Sequence, residues 1–490
     1  MTLSFDPSSI RFPAEHFIGG ERIAAEGALD LHRPSDGVAF AACPVASEDL
    51  VDRAVDTAKQ ALATSGWASA RPRERTNALH RWADLIEQEA VTLARLEAVA
   101  STRPIAEMMT IDIPITAEQI RFFAEFADKE GGDLVPTADD SLGLIATEPY
   151  GVVGAITPWN FPISMAAWKL GPALAAGNAV VLKPSEMTPF ATLYMAELAV
   201  RAGVPAGLIN IVNGDGRTTG TAITGHPGIA KVSFTGSTAA GAAIMANVAR
   251  TGIKPMTLEL GGKSPQVVFA DADLERACAA IARSVLGNAG QACVAGSRLV
   301  VEASVAEAVV DKIVAAMAAV RPGPTWDAAT SGYAPIISER QLARMASIVE
   351  ATVAGGGTCR HGGGRIDREG YFFAPTLIDG VDEASPAVTE EIFGPVLTVQ
   401  TFQDGDEDAA LALADHPTYG LCAGLYTRDL ARAVRVTRKL QAGTVWVNRY
   451  GRSRDHILPT GGYKSSGLGK DLGREAYLAN RKSKSVLIAI

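Results

Sequence analysis

The sequence predicts an α/β protein: a doubly wound parallel sheet, with a second α/β unit behind it. Three observations carry this prediction. Short apolar runs alternate with helical stretches between Tyr150 and Leu260. A glycine-bearing strand-to-helix junction stands at Phe234–Gly241. After Ser264 a further strand, Gln266–Phe269, leads to a helix opening near Asp271-Ala272-Asp273. Strands and helices alternating at this spacing form parallel strands joined by crossover helices, with ligands at the carboxyl ends of the strands.

The 490 residues allow two or three domains and ample core burial. Lys and Arg number 45 against 54 Asp and Glu, a formal net charge of −9, so no nucleic-acid partner is expected. Cys43, Cys278, Cys293, Cys359 and Cys422 are scattered, odd in number and never in CxxC spacing. That pattern argues against a disulfide framework and a zinc site, and favours a reducing compartment with no metal. Met1–Pro7 lacks a basic segment followed by an apolar one, and no run of about 18 apolar residues occurs. A cytoplasmic location away from membranes is expected.

Residues 47–104 read as helical. Ser47 is placed to cap a helix with Val51, Ala54, Val55, Ala58 and Leu62 on one face, and Leu79, Trp82, Ala83, Leu85, Ile86, Leu93 and Leu96 continue the period after Pro72. From Gly131 to Tyr150, Leu134–Pro136 and Leu142–Ala146 read as an antiparallel ribbon, which needs a partner to be stable. Strands follow at 151–156, 179–182, 208–212, 231–234 and 256–260, with helices at 163–176, 188–202, 217–224 and 238–250.

Several of these strand ends carry candidate chemistry. At Phe234-Thr235-Gly236-Ser237-Thr238-Ala239-Ala240-Gly241, Gly236 permits a turn, and Ser237 with the first helical N–H groups can face a pyrophosphate; an ordinary serine-capped turn reads the same way. Lys183-Pro184-Ser185-Glu186 follows a strand. Its Lys183 and Glu186 can bind the hydroxyls of an adenosine ribose, and the carboxylate there repels a 2′-phosphate, favouring NAD over NADP; a solvated surface pair is the alternative. Glu259 ends a strand before Gly261-Gly262, with room to change rotamer. It can serve as a general base or cap the glycine turn. Cys293 lies among small residues, Gly290-Gln291-Ala292-Cys293-Val294-Ala295-Gly296, which let a carbonyl reach the sulfur; a lone cysteine of this kind is equally a buried core residue.

Pro158-Trp159-Asn160-Phe161-Pro162, Lys183–Glu186, Leu258-Glu259-Leu260-Gly261-Gly262-Lys263, Gly290-Gln291-Ala292-Cys293 and Glu391-Ile392-Phe393-Gly394-Pro395 occur in that order. With GSTxxG at 236–241, the set resembles the aldehyde dehydrogenase superfamily from about Phe17 to Ile490. The resemblance implies the aldehyde dehydrogenase fold. Residues 1–129 and 150–259 would form the cofactor-binding domain, 260–469 the catalytic domain, and 130–149 with 470–490 an oligomerisation arm of a homodimer or homotetramer.

It implies Cys293 as nucleophile, Asn160 as oxyanion donor, Glu259 as base and Lys169 as an aid to proton movement. It places Thr157, Pro158, Trp159, Lys183, Glu186, Gly236, Ser237, Gly241, Leu260, Glu391 and Phe393 around NAD, with NADP as the other cofactor the motif admits. The small-molecule substrate would be an aldehyde, between Phe161, Met165, Trp168, Ala292, Val294, Arg452, Arg454 and Thr460. Glu259 counts against the alternative, a CoA-acylating semialdehyde dehydrogenase, because that branch generally lacks it.

Four departures from the family pattern stand out. Thr102-Arg103-Pro104 replaces Gly-Lys-Pro, and no function attaches to that change on sequence alone. Pro459-Thr460-Gly461-Gly462 replaces Pro-Phe-Gly-Gly, which implies a smaller, more polar pocket rim. Lys470-Asp471 replaces Arg-Glu, and Lys482 stands where many relatives have Glu. Arg449, Arg452, Arg454 and His456 cluster upstream of Thr460; they suit either an anionic aldehyde or a solvated basic loop. The glycine triplets 355–357 and 362–364 read as a turn around Thr358–His361, with no helix after them to cradle phosphate.

Overall fold

The computed structural model describes residues 3–329 and 332–490. Met1 and Thr2 of the expected N-terminal segment, and Thr330 and Ser331 within 260–469, lie outside the described residues.

The first sheet has the expected parallel core, in the order Ile209–Ile211, Ala179–Lys183, Val152–Ile156, Lys231–Thr235, Met256–Glu259. The strand order reverses between Val152–Ile156 and Lys231–Thr235, which opens a crevice at their carboxyl ends. Both strands are buried along their length, as strands covered by helices on both faces must be. Helices Pro72–Gln88, Ile113–Phe126, Pro162–Ala175 and Phe190–Arg201 pack together on one face, and Glu48–Ser65 packs with Thr221–Gly225 and Thr238–Thr251 on the other. Trp82 is fully buried, and its Nε1 donates to Met195 O at 2.9 Å, tying two helices of the first layer.

The sheet is not purely parallel. Hairpin Glu15–Ile18/Glu21–Ala24 extends one edge antiparallel to Ile209–Ile211, and Gly467–Leu468 extends the other antiparallel to Met256–Glu259. Such short segments lack a local period, and their partners lie far away in sequence. The stretch read as helical at 47–104 forms three helices, Glu48–Ser65, Pro72–Gln88 and Ala90–Ala100, broken at Glu89 where ψ turns to 18°. Ser47 accepts from Leu50 N–H as its cap. Helix Ile113–Phe126, entered through a π turn at Met108–Asp112, lies beyond the periodicity read from sequence and buries Ile120 and Phe123.

The second sheet runs Thr358–His361, Thr376–Asp379, Val396–Phe402, Arg298–Glu302, Pro265–Val268, Cys422–Tyr426, Thr444–Val447, parallel except for the first pair. Thr358–His361, read as part of a turn, is thus an edge strand, and the glycine triplets bound it. The arm is a separate antiparallel sheet in which Arg481–Ala489 pairs with Ser141–Pro149, and Ser141–Pro149 with Asp133–Val135. The C-terminal strand therefore supplies the partner that the ribbon lacks alone. Among the described residues, no helix is long and apolar enough to cross a membrane.

Gly467 lies opposite Glu259 in the edge pairing, and a Cβ there would stand 2.6 Å from Leu258 O. Gly467→Ala is expected to wedge this edge away from the strand end and cost about 1–3 kcal/mol. Urea unfolding checks this.

Candidate active site

The two sheets meet at a loop that puts Cys293 where the crevice ends. Helix Leu274–Leu286 gives way to three successive left-handed residues, Asn288 (φ 49°), Ala289 (φ 50°) and Gly290 (φ 70°). Each residue with a Cβ loses about 1–2 kcal/mol in that region, so the turn persists only if held. Thr102 Oγ1 donates to Asn288 Oδ1 at 2.7 Å, and Asn288 Nδ2 donates to the carbonyls of Asn160 at 3.1 Å and Gln291 at 3.3 Å. Gln291 Nε2 donates to the carbonyls of Asn288 and Pro335, and Gln291 Oε1 accepts from Ile337 N–H. At Gly290 a Cβ would stand 2.1 Å from Gly394 O. Asn288 is therefore the loop's anchor, and Thr102, to which the sequence attached no role, is its buried partner.

Beyond this turn Cys293 lines a cavity of about 450 Å³. Pro158, Trp159, Asn160, Phe161, Met165, Gly236, Ser237, Leu260, Ala292, Val294, Glu391, Phe393 and Arg452 stand on the same walls. Asn160 Nδ2 donates to Gln291 O at 3.0 Å, which orients the amide and leaves its second hydrogen unused; the buried Oδ1 has no partner. Among the described residues the Cys293 N–H has no acceptor. The Asn160 amide and the Cys293 backbone thus each keep an unused N–H donor on residues that line this cavity. Burial pushes the Cys293 thiol up; the Arg452 charge works against that, while the carboxyls of Glu259 and Glu391 add to it.

Glu259 is buried but stands off the cavity wall, beside Gly461, where a Cβ would lie 2.8 Å from its Oε1. Its Oε1 has no partner. Burial first, and then the Asp471 carboxylate, push Glu259 up to about 8, with Lys169 opposing them. Lys169, itself buried, donates its Nζ to Asp471. Asp471 belongs to the Lys470-Asp471 departure, and only the fold brings it to Lys169, 302 residues earlier.

A second cavity, about 560 Å³, opens on the far side of helix Thr238–Thr251 and includes Glu186, Asp215, Thr221, Ile244, Asn247 and Arg340. The N-terminus of that helix lies between the cavities. Ser237 Oγ caps it by accepting from Ala240 N–H at 3.2 Å; Thr238 and Ala239, whose N–H groups have no acceptor within the helix, line the first cavity. Two cavities joined across a helix N-terminus at a topological switch point fit a dinucleotide, with its pyrophosphate at the helix end. The unpartnered buried hydroxyls of Thr157 and Thr235 add to that fit.

Neither Gly236 nor Gly241 is left-handed. Each is needed for close approach, since a Cβ would stand 2.4 Å from the Phe234 ring at the first and 2.6 Å from Leu260 at the second. Lys183 lies buried under the second cavity, its Nζ donating to the carbonyls of Pro184 and Gly214 and 3.5 Å from Glu186 Oε2. Glu391 Oε1 accepts from Gly262 N–H at 2.9 Å, and burial raises that carboxyl to about 7. Phe393, at φ 56°, meets the Trp159 ring edge-to-face at 5.4 Å.

Several residues named from sequence are placed elsewhere. Arg454 is exposed, and among the loop arginines Arg452 turns inward. Thr460 is buried behind the wall, where its Oγ1 accepts from Arg452 at 2.8 Å; Trp168 is also buried, with its ring under the Arg452 guanidinium at 4.9 Å. Thr157 likewise lies behind Pro158 and off the cavity surface. Conversely, Gln341 and Arg344 were missed. They donate to the carbonyls of Glu391, Ile392 and Phe393 and hold Phe393 in its left-handed state. On helix Glu339–Ala354 they read as ordinary solvent-facing positions, so no sequence signal marked them.

A crevice that fits a dinucleotide thus ends at a cavity lined by a thiol. The aldehyde dehydrogenase family model matches residues 23–486, and the chain belongs to that family. It is 38% identical over 486 residues to the cytosolic 10-formyltetrahydrofolate dehydrogenase of Xenopus tropicalis; the match covers 98% of this chain and 54% of that protein, so the chain spans about half the relative's length. Among solved structures it resembles the indole-3-acetaldehyde dehydrogenase of P. syringae in complex with NAD+ and IAA, with a TM-score of 0.95, 38% identity and coverage of 99% and 98% of the two chains. It also resembles an aldehyde dehydrogenase of Bacillus cereus in an NAD+ complex, with a TM-score of 0.96, 38% identity and full coverage of both chains.

Asn288→Ala strips the Asn160 carbonyl and the buried Thr102 hydroxyl of their partner, leaves the Gln291 carbonyl to Asn160 alone, and is expected to cost about 2–3 kcal/mol. It should also slow alkylation of Cys293 by iodoacetamide, read by mass spectrometry, since the thiol's loop loses its anchor.

Proposed function

We propose that the protein oxidises an aldehyde to its carboxylic acid with NAD, through a sulfur adduct on Cys293. The observation that carries this reading is that Cys293 and the Asn160 amide line one cavity, each with an N–H donor left free, at one end of the crevice. The Cys293 thiolate attacks the aldehyde carbon, and the oxygen that becomes negative is held by those two donors. Ser237, Glu391, Phe393 and Glu186 would hold NAD, which would supply the hydride acceptor when bound. The thioester left on Cys293 is hydrolysed by a water that Glu259 deprotonates. For this the Glu259 side chain swings from beside Gly461 toward the sulfur, past Gly261 and Gly262, and the Lys169–Asp471 pair receives the proton.

Carboxylates at Glu186 and Asp215 in the second cavity favour NAD over its 2′-phosphorylated form, and two solved relatives carry NAD+. The arm supports assembly into a dimer or tetramer: Arg481–Ala489 ends its sheet without a neighbour, and Leu134, Leu487 and Ile488 are exposed there. Five free cysteines, with Cys359 exposed, suit a reducing cytoplasm.

Cys293→Ala is expected to abolish aldehyde-dependent NADH formation at 340 nm while NAD still binds by calorimetry; surviving turnover would sink the mechanism. Glu259→Gln should keep a first-turnover burst of NADH, with steady-state rate falling about 10²–10⁴-fold. Because Glu259 is raised, its base form is lost as pH falls. The wild-type steady-state rate should therefore rise with pH through about 8, and the variant should lose that limb.

A further inference from the structure

Arg452 stands in the wall of the cavity that Cys293 lines. Its surroundings fix its position without an ion pair, though its charge is felt at the Glu259 carboxyl. The loop carrying it is pinned at Tyr450, whose hydroxyl donates to Val294 O at 2.8 Å, one residue from Cys293. Thr460, which accepts from the guanidinium, is itself locked by paired backbone hydrogen bonds with Asp471. The Trp168 ring supports the guanidinium from below. Among the described residues no carboxylate lies within ion-pairing distance of Arg452, whereas buried Arg103 has both Asp112 and Glu107. A half-buried, preorganised guanidinium with donors left over presents a fork that matches a carboxylate.

We infer that the substrate is a short aldehyde carrying a carboxylate, bound by Arg452 while Cys293 attacks the aldehyde carbon. This rests on the aldehyde-oxidising reading above and narrows its substrate class. Arg452 and Cys293 line the same cavity of about 450 Å³, so one small molecule can place its carboxylate at the guanidinium and its aldehyde carbon at the sulfur. Arg449 and Arg454, exposed on the same loop, take no part.

The test compares kcat/KM with NAD for a four-carbon semialdehyde bearing a terminal carboxylate and for its methyl ester. Wild type should prefer the carboxylate by on the order of 10²-fold, and Arg452→Met should collapse that ratio, mostly through KM. Arg452→Glu should shift preference toward an aldehyde bearing an amine. A wild type that favours the ester, or an Arg452→Met variant that slows both substrates equally, would overturn the inference and leave Arg452 as a partner of the thiol alone. Wild type that oxidises neither these nor any simple aldehyde would instead overturn the aldehyde-oxidising reading. Melting temperatures of both variants, expected within a few degrees of wild type, separate loss of recognition from loss of fold.

Discussion

The left-handed turn at Asn288–Gly290 is the constraint on which the site depends. It makes the chain leave helix Leu274–Leu286 in a direction that right-handed backbone would not take, and so carries Cys293 to the end of the crevice. What keeps it there comes from distant parts of the chain: Thr102 from the N-terminal helices, Asn160 from the loop after Val152–Ile156, and Pro335 and Ile337 from the second half. The same Asn160 that receives the anchor through its carbonyl presents its amide to the cavity. Loop shape and the Asn160 amide are thus one hydrogen-bonded unit.

Strain recurs where chemistry is placed. Phe393 lies in the left-handed region, costly for a bulky residue, and Gln341 and Arg344 hold it there. Asn448 and His456, on either side of Arg452, are also left-handed, and Asn448 exchanges hydrogen bonds with Thr427. At Asn288, Phe393 and Asn448 the unfavourable backbone state is offset by side-chain hydrogen bonds, which lets these loops hold fixed positions.

Burial sets the acid–base character. Glu259 and Glu391 are both raised chiefly because they have left water, and both sit against the Gly261-Gly262 backbone or the glycines facing it. The absence of side chains at these glycines is what admits two carboxyls so near one thiol. Lys169 and Asp471 balance each other beside Glu259, so that carboxyl is surrounded by charge without being consumed in an ion pair.

The order of motifs and the alternation of strand and helix were legible in sequence, because parallel strands buried on both faces must be short apolar runs and crossover helices must repeat every three to four residues. Cys293, Asn160 and Glu259 were legible as a set, and the ribbon at 131–150 announced its need for a partner. The edge strands Glu15–Ile18 and Gly467–Leu468, the roles of Thr102, Gln341 and Asp471, and the separation of Arg452 from Arg454 were not. These depend on contacts between residues far apart in the chain, or on which side of a loop a side chain falls, and neither leaves a local period. The chain by itself determined the layers of the fold and the kinds of groups at its centre, since burial and periodicity are local demands. Where each group points, and how burial and neighbours tune it, was decided by the tertiary structure, because distance and desolvation exist only once the two sheets have closed on the cysteine loop.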